Sequence, residues 1–365
     1  MDTAGLDRLL KNLQQWDASD LHLKAGSAPH VRIDGDLRTL SNEPQLTPED
    51  TAGIARAILP TWLVDAFDRH HEADFAYSVP GVGRFRVNAY YQRSTVALAF
   101  RRVRDDVPSA DELGLPQVVF ELANERRGLV LVTGPTGSGK TTTLAAMIQH
   151  VNRTRPCSIV TIEDPIEYLH RDELATIAQR EVGFDTESFA SAMRVVLRQD
   201  PDVIMVGEMR DTETAFAALT AAETGHLVFT TLHTIDATET ITRIIDLFPQ
   251  YQHRQIRSSL AGCLRGTIAQ RLVRRADGVG RAAALEVMVA NGRIRQCIMD
   301  PELTSDIASI IAEGEYYGMR TFDQSLAELL EAGAITLQDA LDAASNPHDL
   351  RVTLERRGLV RTGSW

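Results

Sequence analysis

The segment GPTGSGKT at residues 134–141 constrains the fold more than any other part of the sequence. It has the spacing G-x-x-x-x-G-K-[ST], follows an apolar run and opens a helix-like stretch, which is the context of a nucleotide-binding phosphate loop. In such a loop the glycines let backbone N–H groups approach the phosphates, Lys140 reaches the β and γ oxygens, and the Thr141 hydroxyl ligates Mg²⁺. The sequence therefore predicts a nucleotide and Mg²⁺ site formed by Gly134, Pro135, Thr136, Gly137, Ser138, Gly139, Lys140, Thr141 and Thr142.

Strand-like and helix-like segments alternate on both sides of this loop. The apolar runs are residues 128–133, 158–162, 203–206 and 227–231, and the helix-like stretches are 139–152, 187–199, 211–223 and 236–247. Alternation of this kind predicts an α/β fold, with a parallel sheet and helices on its faces. We assign this core to residues 117–300. Leucines at helical spacing after residue 300 predict a helical C-terminal region and tail at 301–365.

The N-terminal hundred residues have a different pattern. Strands are predicted at 30–34 and 37–40, flanking Gly35-Asp36 as a two-residue hairpin turn, and at 84–91 and 95–103. Helices are predicted at 4–16, 48–58 and 60–69. We therefore predict a small α+β domain at 1–104. The polar segment 105–116, which contains two prolines, is the predicted linker.

Acidic side chains follow two of the predicted parallel strands, and ligands of such sheets bind beyond the carboxyl ends of the strands. Glu163 belongs to TIEDPIE, whose acids suit holding a metal and orienting a water. The strand in VIMVGEMRD ends in Gly207-Glu208, where most phosphate-loop ATPases have an Asp that holds Mg²⁺. Glu208 is one methylene longer, and we expect it to reach Mg²⁺ through a water or to hold the attacking water. Alternatively, Glu208 caps the helix that begins near Asp211.

Two histidines flank the last of these strands. If residues 226–233 are extended, the imidazoles of His226 and His233 lie roughly 23 Å apart. They cannot both contact one phosphate, and they are too distant to share a zinc ion. His233 follows the carboxyl end of the strand and is the predicted sensor of the γ-phosphate. His226 is predicted to contact a different element or subunit.

Charge and cysteine spacing exclude several other classes of protein. The net charge of −12 argues against broad, non-specific nucleic-acid binding. Cys157, Cys263 and Cys297 form no CxxC pair, so neither a Cys₄ zinc site nor a disulfide framework is expected. No apolar run approaches the ~18 residues needed to span a bilayer. Asp2 and Asp7 stand where a signal peptide carries positive charge, so we expect a cytoplasmic chain.

Longer segments around these motifs resemble the secretion ATPase superfamily, and within it the type IV pilus retraction branch. The phosphate loop, acidic box, Walker B region and histidine box of that family are similar to GPTGSGKTTTLAAM, TIEDPIE, LRQDPDVIMVGEMRD and TAAETGHLVFTTLHT. The segments ASDLHLKAG, RIDGDL and GRFRVNAYYQR near the N-terminus, and GMRTFDQSL near the C-terminus, also resemble that branch. The resemblance covers roughly residues 15–345.

The resemblance implies a PAS-like N-terminal domain, a RecA-like ATPase domain and a hexameric ring that hydrolyses ATP. It implies that Glu163 activates water, that Glu208 supports Mg²⁺ or water, and that arginines of the N-terminal domain close on nucleotide at subunit boundaries. The matching arginines are Arg84, Arg86 and Arg101. The implied partners are an inner-membrane pilus platform protein and a paralogous retraction ATPase, at the inner face of the cytoplasmic membrane.

One segment departs from the branch, and other functions stay open. The branch carries a motif close to AIRNLIRE, whereas residues 293–300 read RIRQCIMD, with Met299 and Asp300 in place of Arg and Glu. A motor for pilus retraction and twitching motility is the leading hypothesis. The alternatives are a pilus assembly or type II secretion ATPase, an accessory ATP-binding subunit, and a RecA-like nucleic-acid translocase.

Overall fold

The computed structural model describes residues 1–33 and 35–360, and its internal contacts divide them into two compact units. The first unit comprises residues 1–106 and 167–169, and the second comprises 107–166 and the described residues from 170 onward. The chain therefore passes between the units three times, after residues 106, 166 and 169. Asp34, the end of a predicted strand, and residues 361–365 of the predicted tail lie outside the described residues.

In the described part of the first unit, antiparallel strands form one sheet with the order β3-β2-β1-β6-β5-β4. The strands are β1 Asp20–Lys24, β2 His30–Ile33, β3 Asp36–Thr39, β4 Glu72–Val79, β5 Gly83–Gln92 and β6 Thr95–Arg102. The helices are α1 Thr3–Gln15, α2 Pro48–Ile58 and α3 Val64–His70, with a 3-10 turn at Thr61–Leu63. An isolated bridge pairs Arg104 with Tyr168, so the returning residues 167–169 are tied into this unit.

The predicted hairpin of the first unit is present, but its second strand begins one residue earlier than predicted. Ile33 pairs with Asp36, so Asp36 belongs to β3 rather than to the turn. Gly35 adopts φ +86°, a conformation that glycine takes without steric cost. The glycine therefore fixes the position of the turn.

The second unit contains a mostly parallel sheet with the order β13-β12-β7-β11-β10-β8-β9. Its strands are β7 Gly128–Thr133, β8 Ser158–Glu163, β9 Thr176–Glu181, β10 Val203–Val206, β11 Leu227–Leu232, β12 Leu264–Arg274 and β13 Arg281–Val289. The strands from β12 through β9 pair in parallel, and β13 is antiparallel to β12. The prediction of an α/β fold is confirmed.

Helices cover both faces of this sheet. The helices that precede β12 in the sequence are α4 Ala110–Leu113, α5 Gln117–Ala123, α6 Lys140–Thr154, α7 Phe189–Val196, α8 Thr212–Glu223, α9 Ala237–Asp246 and α10 His253–Cys263. The C-terminal ones are α11 Gly292–Met299, α12 Ile307–Ala312, α13 Phe322–Glu331, α14 Leu337–Ala343 and α15 Pro347–Arg356. Short 3-10 turns lie at Leu197–Gln199, Gln250–Gln252, Pro301–Asp306 and Glu315–Tyr317. The turn α4 lies inside the predicted linker.

Burial explains why the central strands were readable from the sequence. Every residue of β7, β10 and β11 is buried, because helices pack on both sides of a parallel sheet and each strand is a continuous apolar run. The predicted strands agree with the observed ones to within one residue. The strands β9, β12 and β13 of this sheet were not predicted, nor were β1 and β4 of the first unit.

The C-terminal helices share a core with the sheet. Phe322 and Leu326 of α13, Ala340 of α14 and Leu350 of α15 pack with alanines of β12 and β13. The chain after residue 300 is thus helical, as predicted, and it belongs to the second unit. Within residues 1–33 and 35–360, none of the helices has both the length and the apolar character of a bilayer-spanning segment.

Candidate functional site

The phosphate loop connects the carboxyl end of β7 to the first residue of α6. Gly134 adopts φ +139°, and a Cβ atom there would lie 2.4 Å from the carbonyl oxygen of Gln270 and 2.6 Å from Ser138 Oγ. Only glycine lets the backbone approach β12 this closely. The loop is therefore packed against the sheet on one side, while Pro135, Thr136 and Gly137 are exposed on the other.

Lys140 lies beneath this loop with only 9% of its surface exposed. Its Nζ donates hydrogen bonds to the carbonyl oxygens of Gly134 at 2.8 Å and Pro135 at 3.0 Å. Burial lowers the pKa of Lys140, and the nearby negative charge of Glu208 opposes that lowering. An ammonium group held by carbonyl oxygens can exchange those contacts for the oxygens of a phosphate.

Ser138 supplies a second sign of an anion site. Ser138 is 4% exposed, and its Oγ has no hydrogen-bond partner within the described part of the chain. Buried polar atoms are normally hydrogen-bonded, so a missing partner calls for a physical explanation. A phosphate oxygen held in the loop would accept a hydrogen bond from this hydroxyl.

Glu163 is the last residue of β8 and is buried, with 5% of its surface exposed. Its Oε1 accepts hydrogen bonds from Thr161 Oγ1 at 2.6 Å and from Gln179 Nε2 at 3.1 Å. Asp164 and Glu167, the other acids of the TIEDPIE segment, are exposed, and Glu167 belongs to the first unit. The structure thus separates the three acids that the sequence grouped, and it orients Glu163 by donors from buried Thr161 and half-buried Gln179.

Glu208 follows β10, which lies between β8 and β11. The turn before it is held on both sides, because Gly207 N–H donates to Ile162 and Thr231 Oγ1 donates to the Gly207 carbonyl. The Glu208 Oε2 atom is 2.6 Å from a guanidinium nitrogen of Arg210 and 3.8 Å from His233 Nε2. Glu208 and His233, which are 25 positions apart in the sequence, are therefore neighbours at the carboxyl edge of the sheet.

The alternative role of Glu208 as a helix cap is wrong. Asp211 is the N-cap of α8, and its side chain accepts a hydrogen bond from Thr214 N–H at 2.8 Å. Aspartate suits this position because its short side chain reaches the first-turn N–H groups. The Glu208 side chain instead contacts Arg210 and lies near His233.

The two histidines lie at opposite ends of β11, as predicted. His233 follows the strand, and its side chain is 46% exposed. His226 precedes the strand, and its Nδ1 is 3.0 Å from the Ala221 carbonyl oxygen in the last turn of α8. His226 therefore contacts a different element, which agrees with the prediction for it.

The three candidate arginines belong to the first unit, whereas the residues described above belong to the second. Arg84 and Arg86 lie on β5, and Arg86 pairs directly opposite Arg101 of β6. Arg101 donates to Asp20 Oδ1 at 2.8 Å. Burial alone would raise the pKa of Asp20, but the hydrogen bonds from Ser19 and Arg101 outweigh burial and lower it. This carboxylate offsets the repulsion between two arginines that face each other across the strands.

A cavity of about 210 Å³ adjoins the first turn of α6. Leu113, Leu115, Leu272 and Ala283 give it apolar walls, and Thr142, Thr143, Gln270, Glu112 and Arg281 supply polar groups. Ligand pockets commonly combine apolar walls with a few polar groups that fix orientation. The cavity therefore suits the base and sugar of a nucleotide whose phosphates lie in the loop.

Sequence reasoning missed several polar residues that support this site. Gln179 contacts Glu163, Gln270 accepts a hydrogen bond from Thr143 at 2.7 Å, and Glu286 accepts one from Ala237 N–H at 2.8 Å. Burial raises the pKa of Glu286 to about 7. Gln270 and Glu286 each interrupt an apolar strand segment, which was the available signal for these two residues.

Comparisons with known proteins give a consistent result. A family model described as type II/IV secretion system protein matches residues 115–341. The type IV pilus retractation ATPase PilT of Pseudomonas aeruginosa is 45% identical over 94% of this chain and 99% of its own length. The type IV pilus ATPase PilU of the same organism is 40% identical over 96% of this chain and 91% of its own. Among solved structures, the pilus retraction motor PilT with bound ADP matches with a TM-score of 0.86 and 46% identity, over 95% of this chain and 98% of that one.

Proposed function

The chain belongs to the type II/IV secretion system protein family, and on this premise we propose that it is an ATPase motor that retracts a type IV pilus. The observation that carries the proposal is the extent of the similarity to a pilus retraction ATPase, at 45% identity over 94% of this chain and 99% of that relative. The solved retraction motor that the chain resembles has ADP bound, which supports a nucleotide as the ligand of the phosphate loop. We place the motor at the inner face of the cytoplasmic membrane.

In the proposed mechanism, the loop and Lys140 bind the phosphates of ATP. The Lys140 ammonium leaves the carbonyl oxygens of Gly134 and Pro135 for the β and γ oxygens, and the Ser138 hydroxyl donates to another phosphate oxygen. Backbone N–H groups at the start of α6 add a favourable dipole. The base and sugar occupy the cavity beside Thr142 and Thr143.

The residues at the edge of the sheet fit a bound Mg²⁺ ion. Mg²⁺ prefers oxygen ligands, and the Thr141 hydroxyl in the first turn of α6 and the Glu208 carboxylate after β10 are the oxygen groups that would hold it. When bound, Mg²⁺ neutralises developing charge on the β and γ oxygens. Glu208 and His233 lie next to each other at this edge, so His233 is the residue we assign to the γ-phosphate.

Glu163 acts as the base in this proposal. A water that attacks the γ-phosphate must be oriented and must give up its proton, and a positioned carboxylate does both. Thr161 and Gln179 donate to the same oxygen of Glu163, which fixes the plane of its carboxyl group.

The proposed assembly is a hexameric ring in which Arg84, Arg86 and Arg101 of one subunit reach the nucleotide of its neighbour. Arginine suits this role because its planar guanidinium forms bidentate contacts with phosphate oxygens. Arg86 and Arg101 are exposed cross-strand neighbours, which supports their use together as one positive patch. ATP binding closes one subunit on the next, and hydrolysis and release reopen the boundary.

Mixing two inactive variants tests this arrangement. We expect Arg86→Ala and Lys140→Ala subunits each to hydrolyse ATP at least about 100-fold more slowly than wild type. Equal mixing should restore roughly a quarter of the wild-type rate, because a quarter of the boundaries in a head-to-tail ring combine an intact loop with an intact arginine. Phosphate release at fixed total protein measures the recovery.

Arg38→Ala, at an exposed arginine of β3, is the matched control and should hydrolyse normally. Normal turnover by Arg86→Ala alone would remove this arginine from the site. Failure of the mixture to recover would show that the arginine does not act across a boundary.

Pilus counts after gene deletion test the proposed function itself. Loss of a retraction motor leaves excess surface pili that cannot be withdrawn, and the Lys140→Ala gene should fail to restore the wild-type count. A bald cell would instead identify an assembly motor, and an unchanged count would identify an accessory subunit or a different machine. Electron microscopy of sheared and unsheared cells gives the count.

A second candidate is a retraction ATPase that works beside a paralogue. It is favoured by the 40% identity to the pilus ATPase PilU and by the altered segment 293–300. Met299 is the last residue of α11 and is 52% exposed, and Asp300 accepts a hydrogen bond from Glu302 N–H at the start of the next turn. Restoring Met299→Arg and Asp300→Glu should raise retraction by this protein alone if the altered segment limits it.

A further inference from the structure

A series of hydrogen-bonded side chains connects Glu163 with α6, the helix that begins at Lys140. We propose that Gln179 is a positioning residue for Glu163 and that His170 and Gln149 link it to α6. The proposal rests on the proposed function, in which Glu163 accepts the proton of the attacking water. It assigns a role to residues that no motif of the sequence had singled out.

Gln179 is held at both ends of its amide. Its Nε2 donates to Glu163 Oε1 at 3.1 Å, and its Oε1 accepts from the backbone N–H of His170 at 2.9 Å. A backbone N–H can only donate, so it fixes the amide oxygen toward His170 and the amide nitrogen toward Glu163. The parallel pairing of β9 with β8 places Gln179 opposite Thr161, on the same face of the sheet as Glu163.

The next link is the imidazole of His170, whose Nδ1 is 3.1 Å from Gln149 Oε1. Gln149 Nε2 donates to the Glu173 carboxylate at 2.6 Å, which leaves the Gln149 oxygen facing the ring. His170 Nδ1 must therefore carry the proton. Burial lowers the pKa of His170 to about 4, so the ring is neutral at physiological pH and keeps a single hydrogen-bonding pattern.

Asn152 fastens the same segment to α6 independently. It is fully buried, its Nδ2 donates to the Arg171 carbonyl at 2.8 Å, and its Oδ1 accepts from Glu173 N–H at 3.1 Å. Its backbone oxygen also accepts from Leu174 N–H at 3.0 Å. The segment 170–174 is thus bound to the last turns of the helix that holds the phosphate loop at its first turn.

This connection couples the base to the nucleotide. Lys140 and Gln149 are separated by roughly 14 Å of continuous α-helix, which moves as a stiff rod. A displacement of the loop on binding phosphate is carried by Gln149 and Asn152 to His170, and by Gln179 to Glu163. The base then takes its working orientation when the loop is filled.

The test compares steady-state hydrolysis in Gln179→Met, Gln179→Glu and wild type across pH. Both variants remove the amide donor to Glu163. Gln179→Glu keeps an oxygen for His170 N–H and places a second carboxyl group beside Glu163, which adds to the expected shift. We expect kcat to fall about 10- to 100-fold with little change in KM, because a small misplacement of a catalytic group has an effect of this size. The acid limb of the kcat profile should move to higher pH by about one unit, since a hydrogen bond to the charged form of Glu163 is lost.

Two further variants sharpen the result. Thr176→Ala, at an exposed position of the same strand, is the matched control and should leave kcat and the pH profile unchanged. Gln149→Met removes the side-chain contact between α6 and the His170 ring while leaving Gln179 and Asn152 in place, and it should move the acid limb in the same direction by a smaller amount. An unchanged profile in Gln149→Met would overturn the link from α6 through the His170 ring.

A fall in kcat without movement of the acid limb, in both Gln179 variants, would reduce Gln179 to a structural role and overturn the proposal. Circular dichroism and thermal melting establish whether each variant is folded. If Gln179→Met is not folded, Gln179→Glu alone provides the test. The part of the proposed function on which this inference rests, Glu163 as the base, fails separately if Glu163→Gln retains wild-type turnover. Loss of turnover in Glu163→Gln with normal Gln179 variants would overturn only the inference drawn here.

Discussion

Replacing Glu163 by glutamine is expected to slow ATP hydrolysis by about 1,000-fold while nucleotide binding stays within a few-fold of wild type. The two side chains have almost the same shape, and the glutamine oxygen can still accept the hydrogen bonds from Thr161 and Gln179. What the substitution removes is the basicity of the carboxylate. A loss confined to the chemical step therefore distinguishes a base from a residue that merely shapes the site.

Phosphate release measures turnover in this experiment, and displacement of a fluorescent ADP analogue measures binding. Glu187→Gln is the matched control, because Glu187 is an exposed acid of the same unit and should tolerate the change. Equal turnover in Glu163→Gln and wild type would remove Glu163 from its assigned role. A parallel loss of binding would indicate damage to the loop rather than to the base.

The second large effect is expected at Lys140, where alanine should weaken nucleotide binding at least about 100-fold and abolish measurable turnover. The substitution deletes a buried positive charge and leaves the Gly134 and Pro135 carbonyl oxygens without their donor. Titration with labelled ADP gives the affinity, and Lys24→Ala, at an exposed lysine of β1, is the control.

A chemical probe checks the same site without mutation. The sequence has only three lysines, Lys11, Lys24 and Lys140, so acylation can be assigned to each by mass spectrometry. Burial lowers the pKa of Lys140, which favours reaction of its neutral amine. ATP should protect Lys140 and leave Lys11 and Lys24 reactive. Equal acylation of Lys140 with and without ATP would contradict the assignment.

The central sheet could be predicted from the sequence because its strands are local signals. The strands β7, β10 and β11 are uninterrupted apolar runs with every residue buried, so composition alone marks them. The strand β9 reads TIAQRE and lies at the edge of the sheet, where alternating polar residues hide a strand. The strand β12 carries Gln270, and β13 carries Glu286. These buried polar residues broke the apolar pattern that the prediction required.

Some residues of the candidate site could likewise be predicted from local sequence, and others could not. The phosphate loop is a contiguous motif, and the positions of Glu163 and Glu208 follow from the rule that ligands meet the carboxyl ends of parallel strands. The roles of these residues stay predictions. Gln179, His170 and Gln149 could not be found, because their partners are a backbone N–H and side chains on other elements, 9 to 21 positions away. Such contacts exist only after the chain has folded.

The return of residues 167–169 to the first unit has a mechanical consequence. A chain that passes only once between two units can rotate at that point without straining either unit. Here the passages after residues 166 and 169 bracket a segment that is tied to Arg104 by the Leu169 N–H bond of 2.7 Å. One end of the segment lies four positions after Glu163, and the other end is bonded directly to His170. Any force that turns the first unit is therefore applied to the polypeptide shortly after Glu163 and directly before His170.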